Sequence, residues 1–73
     1  MPAQLRDIET ALKQLGLVVD PPKKGSHYMV RRDGARPYPL PAHNGLRSEI
    51  TDRYIKGLCA HFGLDLEDFK KLL

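Results

Sequence analysis

Leu5, Ile8, Leu12 and Leu15 recur at helical spacing with Ala11 between them, and Gly16 follows where a helix C-cap falls. The spacing predicts a first helix over about residues 3–15. Leu17-Val18-Val19 then suits a short strand, stopped by Pro21-Pro22, which can continue neither ladder nor helix. From Ser26 through Arg32 the period changes to two. Tyr28 and Val30 fall on one side, toward the helices, and His27, Met29 and Arg31 on the other. Met29 is as apolar as Val30, so a slip of one residue would exchange the two sets. Asp33-Gly34 is a two-residue hairpin signal, with Gly tolerating the positive φ that such turns need.

Arg36-Pro37-Tyr38-Pro39-Leu40-Pro41 carries proline at every second position. In a strand, alternate N–H groups point to the same edge, so these prolines strip donors from one edge and leave Tyr38 and Leu40 to pair on the other. The segment reads as an edge strand whose outer side resists further pairing, the alternative being a polyproline run outside any sheet. Ser48 is placed to cap a second helix over about residues 49–62, in which Ile50, Tyr54, Ile55, Leu58, Cys59 and Phe62 form an apolar stripe ended by Gly63. Asp65 with Asp68 resembles a capping box for a short closing helix, with Leu66, Phe69, Leu72 and Leu73 on its buried side. The order is α-β-β-β-α plus a short extra C-terminal helix. It predicts an α+β domain over residues 1–73: a three-stranded antiparallel sheet with helices on one face and the other face open, the layout of double-stranded-RNA-binding domains. Fold alone does not license function.

Seventy-three residues make one domain with a thin core. Cys59 is the only cysteine, so no internal disulfide staples it. The apolar runs are short and broken by charge, with no legible signal peptide or membrane span, and the expected location is the cytoplasm. The net charge of +3 says less than its distribution. Residues 21–47 hold six cations, Lys23, Lys24, Arg31, Arg32, Arg36 and Arg47, against the single acid Asp33, a net +5 that leaves −2 for the flanks. A basic middle of this kind is either a solvated hairpin or a face that meets a polyanion.

Within that middle, Lys23-Lys24-Gly25-Ser26-His27-Tyr28 sets one histidine behind a glycine turn and two lysines. An imidazole titrates near neutrality and suits proton transfer, while the lysines offer charge where a phosphate can sit. RNA supplies its own nucleophile, the 2′-hydroxyl. A minimal ribonuclease therefore needs a base, here His27, and cations for the phosphate, here Lys23, Lys24 and Arg31 or Arg32. Gly25 permits close backbone approach, and Ser26 can donate to a phosphate oxygen or tie down the turn. By the residues alone, His27 is more readily a surface histidine at a strand start than a base. Farther on, Pro41-Ala42-His43-Asn44-Gly45 supplies a second histidine: a general acid, an RNA contact, or a polar loop residue. Tyr28 and Tyr38 are core residues or stacking platforms. Cys59 and His61, two apart, point away from each other on a helix, and no Cys-x-x-Cys or His-Glu-x-x-His motif exists, so neither metal nor cofactor is expected.

Gly-Ser-His opening a hairpin, followed by Pro-x-His-x-Gly, in a chain of this length with leading and closing helices, resembles the HicA (YcfA-like) family of small bacterial toxins. The resemblance spans nearly the whole chain. It departs from the family at Tyr28, where many members carry a second histidine or a small residue, and at Pro37, Pro39 and Pro41, where many carry a threonine-rich strand. The resemblance implies a metal-independent endoribonuclease acting on mRNA, the toxin of a toxin–antitoxin pair, with His27 as the catalytic residue. Lys23, Lys24, Gly25, Ser26, Arg31, Arg32, His43 and Arg47 are the expected RNA contacts. It also implies a HicB-like antitoxin covering the active surface, the toxin being a monomer when free and part of a hetero-oligomer when neutralised. The rival reading is a non-catalytic RNA-binding module of the same fold, and a third is a pure protein-interaction domain.

Overall fold

In the computed structural model, which describes residues 3–73, the chain runs β1 (Ala3–Gln4), α1 (Leu5–Gln14), β2 (Val18–Asp20), β3 (His27–Arg31), β4 (Tyr38–Pro41), a 3-10 turn (Gly45–Arg47), β5 (Glu49–Ile50), α2 (Asp52–Phe62) and α3 (Leu66–Lys71). The first two residues of the expected 1–73 domain lie outside the described ones. Strands β2, β3 and β4 form an antiparallel sheet in that order, and β1 pairs with β5 in a second, two-stranded sheet. The α+β reading with a central three-stranded antiparallel sheet holds.

Leu5, Ile8, Ala11 and Leu12 are the buried stripe of α1, as their spacing requires. Ile55, Leu58, Cys59 and Phe62 are that of α2. They close on Val19, Val30 and Leu40 from the sheet in one core cluster, to which Ile50 and Phe69 also belong. Burial pushes the Cys59 thiol pKa up, because the thiolate would lose its hydration. Helix α1 ends at Gln14 and the chain turns away at Gly16, whose φ is +85°, with Leu17 N–H donating to the Leu12 carbonyl at 3.0 Å. Asp65 caps α3 as expected, its carboxylate accepting from the Asp68 N–H at 2.9 Å.

The β3–β4 ladder has the phase that the prolines impose. Ala42 N–H donates to the Ser26 carbonyl at 2.6 Å, and the register pairs Tyr28 with Leu40 and Val30 with Tyr38. Residues 38, 40 and 42 therefore direct their N–H groups at β3, while Pro39 and Pro41 face outward with none to offer. The opposite edge is nearly as closed. Alternation turns residues 17, 19 and 21 of the β2 segment outward, but Leu17 N–H is taken by α1 and Pro21 has none, which leaves Val19 alone.

Several sequence expectations are corrected. Helix α1 starts at Leu5 rather than residue 3, because Ala3 and Gln4 pair with Ile50 and Glu49. The second helix starts at Asp52 rather than residue 49, and Ser48 does not cap it. Ser48 is buried instead, its Oγ accepting from Asn44 N–H at 3.0 Å, and Ile50 is a strand residue. Leu15, Tyr54, Leu72 and Leu73 are exposed rather than buried. The hairpin is not a two-residue one. Asp33 and Gly34 do centre a turn closed by Ala35 N–H to the Arg32 carbonyl at 3.1 Å, but Pro37 cannot donate and pairing begins only at Tyr38, leaving a loop over residues 32–37.

Hydrogen exchange followed by NMR should find the Tyr38 and Leu40 amides protected by the ladder and the Val19 amide fast. Fast exchange at both Tyr38 and Leu40 would contradict the edge-strand phase.

Candidate functional site

Cross-strand partners share a face of a sheet, so the register sorts the side chains. Val19, Val30, Tyr38, Tyr28 and Leu40 belong to the helix-covered face, and Val18, Asp20, His27, Met29, Arg31, Pro39 and Pro41 to the other. Exposure agrees: Val18 is 48% exposed where its neighbour Val19 is 7%. Tyr28 and Tyr38 are half-buried against the core rather than free platforms, and the Tyr38 hydroxyl lies where a side chain on Gly57 of α2 would begin.

Strand β2 stops at Asp20, opposite Met29, so β3 runs on past it to His27 with no strand on that side. The chain leaves β2 through Pro21 and Pro22 and returns through Gly25, whose φ of +84° suits glycine. Between this loop and the sheet lies a recess of ≈ 400 Å³, lined by Lys23, Lys24, His27, Met29, Arg31 and Asp20, with prolines around them. Four of the expected site residues, Lys23, Lys24, His27 and Arg31, thus meet at one place. His27, Lys23 and Lys24 are exposed, and neither lysine has an ion-pair partner among the described residues. The Arg31 guanidinium binds the Asp20 carboxylate across the strands; that hydrogen bond, and then the charge attraction, hold the Arg31 pKa above its ordinary value.

The remaining expected residues separate from this group. Arg32 sits with its guanidinium carbon 5.4 Å from the centroid of the Phe62 ring, a cation–π contact with the helix layer. It lines a neighbouring recess of ≈ 460 Å³ with Gly16, Asp33 and Gly34, connected to the first through Arg31. Ser26 is engaged through its carbonyl with Ala42. His43 lies in the turn closed by Gly45 N–H to the Ala42 carbonyl at 3.1 Å and Arg47 in the 3-10 turn; neither lines the recess.

Two residues escaped the sequence reading. Asp20 joins the site because the register sets it beside Arg31, and no local pattern marks it. His61 Nε2 lies 2.7 Å from the Arg36 carbonyl, with its ring 5.2 Å from that of Tyr38, and so ties the 32–37 loop to α2. Among the described residues no group of three or more His, Cys, Asp or Glu is arranged to hold a metal ion, and no helix is long and apolar enough to cross a membrane.

What the recess can do follows from its contents. One accessible imidazole can take up a proton, and three cations can steady a phosphate beside it. Comparison of the chain with protein-family models, curated proteins and solved structures finds no match.

Gly25→Ala tests the loop that forms the recess. The added methyl meets nothing within 4 Å, so the cost is that of the left-handed backbone alone. Chemical denaturation should show a loss of about 1 kcal/mol or slightly more; an unchanged midpoint would mean that the turn does not need its positive φ.

Proposed function

We propose that this chain is a metal-independent endoribonuclease of the HicA kind, the toxin of a toxin–antitoxin pair that acts on mRNA in the cytoplasm. The observation that carries the proposal is the recess on the uncovered sheet face, where the histidine of the Gly-Ser-His motif stands with Lys23, Lys24 and Arg31. The motif resemblance raises His27 above the many surface histidines that do nothing.

The chemistry needs little machinery. An RNA phosphate sits among Lys23, Lys24 and Arg31, with the preceding 2′-hydroxyl near His27. The imidazole takes the hydroxyl proton as the 2′-oxygen bonds to phosphorus, the bond from phosphorus to the 5′-oxygen breaks, and the departing oxygen takes a proton from solvent. The products are a 2′,3′-cyclic phosphate and a 5′-hydroxyl. Because the nucleophile belongs to the substrate, no metal-activated water is required. A positioned base contributes about 10²–10⁴ in rate, and the cations stabilise the charge on the phosphorane.

An unrestrained RNase would damage its own cell, which calls for a HicB-like antitoxin covering the recess with acidic groups, the free toxin being a monomer. Both sheet edges are poor in donors, so the antitoxin docks through side chains over the sheet face or helices rather than by adding a strand. One observation favours the rival, a non-catalytic RNA-binding module: His43 does not line the recess, so no second histidine stands there as an acid.

His27→Ala should abolish RNA cleavage and growth inhibition with the fold intact by circular dichroism, and the parent chain should cleave in EDTA. Near-parental cleavage by a folded variant would remove His27 as the base, and cleavage that requires added magnesium would contradict the mechanism. Combining Lys23→Ala with Lys24→Ala should weaken RNA binding across sequences and reduce the slope of log affinity against log salt by about one to two. An unchanged slope would place the RNA elsewhere.

A further inference from the structure

Asp20 is the one acid among the residues that line the recess, and its position there is peculiar. It lies directly opposite Met29, so its two diagonal neighbours across the strands are Arg31 and His27, which line the same recess. In the structure it is bound to Arg31. The geometry points to Asp20 as a positioning residue that changes partner during the reaction: it holds Arg31 in the free protein and turns to His27 once Arg31 is engaged by the RNA phosphate. This inference rests on the ribonuclease reading above.

The exchange follows from what each group prefers. A guanidinium pairs with phosphate in the same two-pronged way as with a carboxylate, so an incoming phosphodiester competes directly with Asp20 for Arg31. An exposed ion pair of this kind is weak, and its replacement costs little. The released carboxylate is then beside an imidazole that is about to take up the 2′-hydroxyl proton. One ring nitrogen receives that proton; the other, carrying its own N–H, can donate to Asp20. The carboxylate then orients the ring and stabilises the imidazolium without itself taking the proton. Every other charged group around His27 opposes that positive charge: Lys23 and Lys24 from the loop and Arg31 from its own strand. The partner strand β4 contributes only Pro41 opposite His27. Asp20 is thus the one carboxylate lining the recess that can join the substrate phosphate in countering that charge, and its pairing with Arg31 keeps it close by until substrate arrives.

The inference separates binding from chemistry, and Asp20→Asn reads both. Binding is measured in the full chain with a non-cleavable 2′-deoxy oligonucleotide, and chemistry as the single-turnover rate on the RNA of the same sequence. With its internal competitor gone, Arg31 should bind the oligonucleotide about threefold tighter, while the cleavage rate falls about tenfold for want of the counter-charge. In an Arg31→Gln background the gain in binding from Asp20→Asn should vanish while the loss of rate remains. Tighter binding with an unchanged rate would show that Asp20 never serves His27. Parallel loss of binding and rate would reduce Asp20 to a structural prop. A parent chain that binds the oligonucleotide but does not cleave RNA overturns the ribonuclease reading itself, a different result from either.

Discussion

Three prolines at alternate positions constrain this fold more than any other feature. Pro37, Pro39 and Pro41 offer no N–H, so β4 can pair with β3 only through Tyr38, Leu40 and Ala42, and only on one side. The demand that Leu40 be buried then selects the register that puts Tyr28 and Val30 beside it under the helices. Once those two are inward, His27, Met29 and Arg31 have nowhere to go but the uncovered face. A slip of one residue would bury an imidazole and a guanidinium at the expense of a valine, a cost that hydrophobic transfer could not offset. The exposure of the candidate base is in this sense a consequence of how the edge strand is allowed to pair.

The long-period features of this architecture were legible because each is a repeated pattern. The stripe of α1 except for Leu15, the alternation of β3, the proline edge strand and the Asp65 cap appear as expected. What escaped were contacts with no period. The β1–β5 pair joins Ala3 to Ile50 through two-residue strands, too short to carry an alternation, and it shortened the predicted helices at both places. Ser48 reads as a cap because serine is a preferred residue before a helical stripe, whereas here the hydroxyl serves Asn44 within the loop. The site shows the same division. Lys23, Lys24 and His27 are near in sequence and meet in space. Asp20 enters only through cross-strand register, and Arg32 is excluded by a rule the sequence did contain, since it shares parity with Tyr28 and Val30 and so turns toward the helix layer.

The recess also explains why modest net charge and strong local charge coexist. The acids of the chain lie mostly on the helices, where Glu9 and Asp68 meet lysines one turn away, while the loop lysines have no partner among the described residues. A polyanion approaching the sheet face meets cations already free of intramolecular partners, with the exception of Arg31. On the proposed ribonuclease reading, that exception would make the strength of phosphate binding and the availability of Asp20 to His27 two sides of one equilibrium.

The account stands or falls on where RNA lies. Amide chemical-shift mapping by NMR, with a short 2′-deoxy oligonucleotide titrated into the full chain, locates it without requiring turnover. The largest changes are expected at Asp20, Lys23 through Met29 and Arg31, with α2 and α3 nearly silent. Changes centred instead on the outer face of α2 around Arg53 and Tyr54, or an absence of saturable change at low salt, would contradict it.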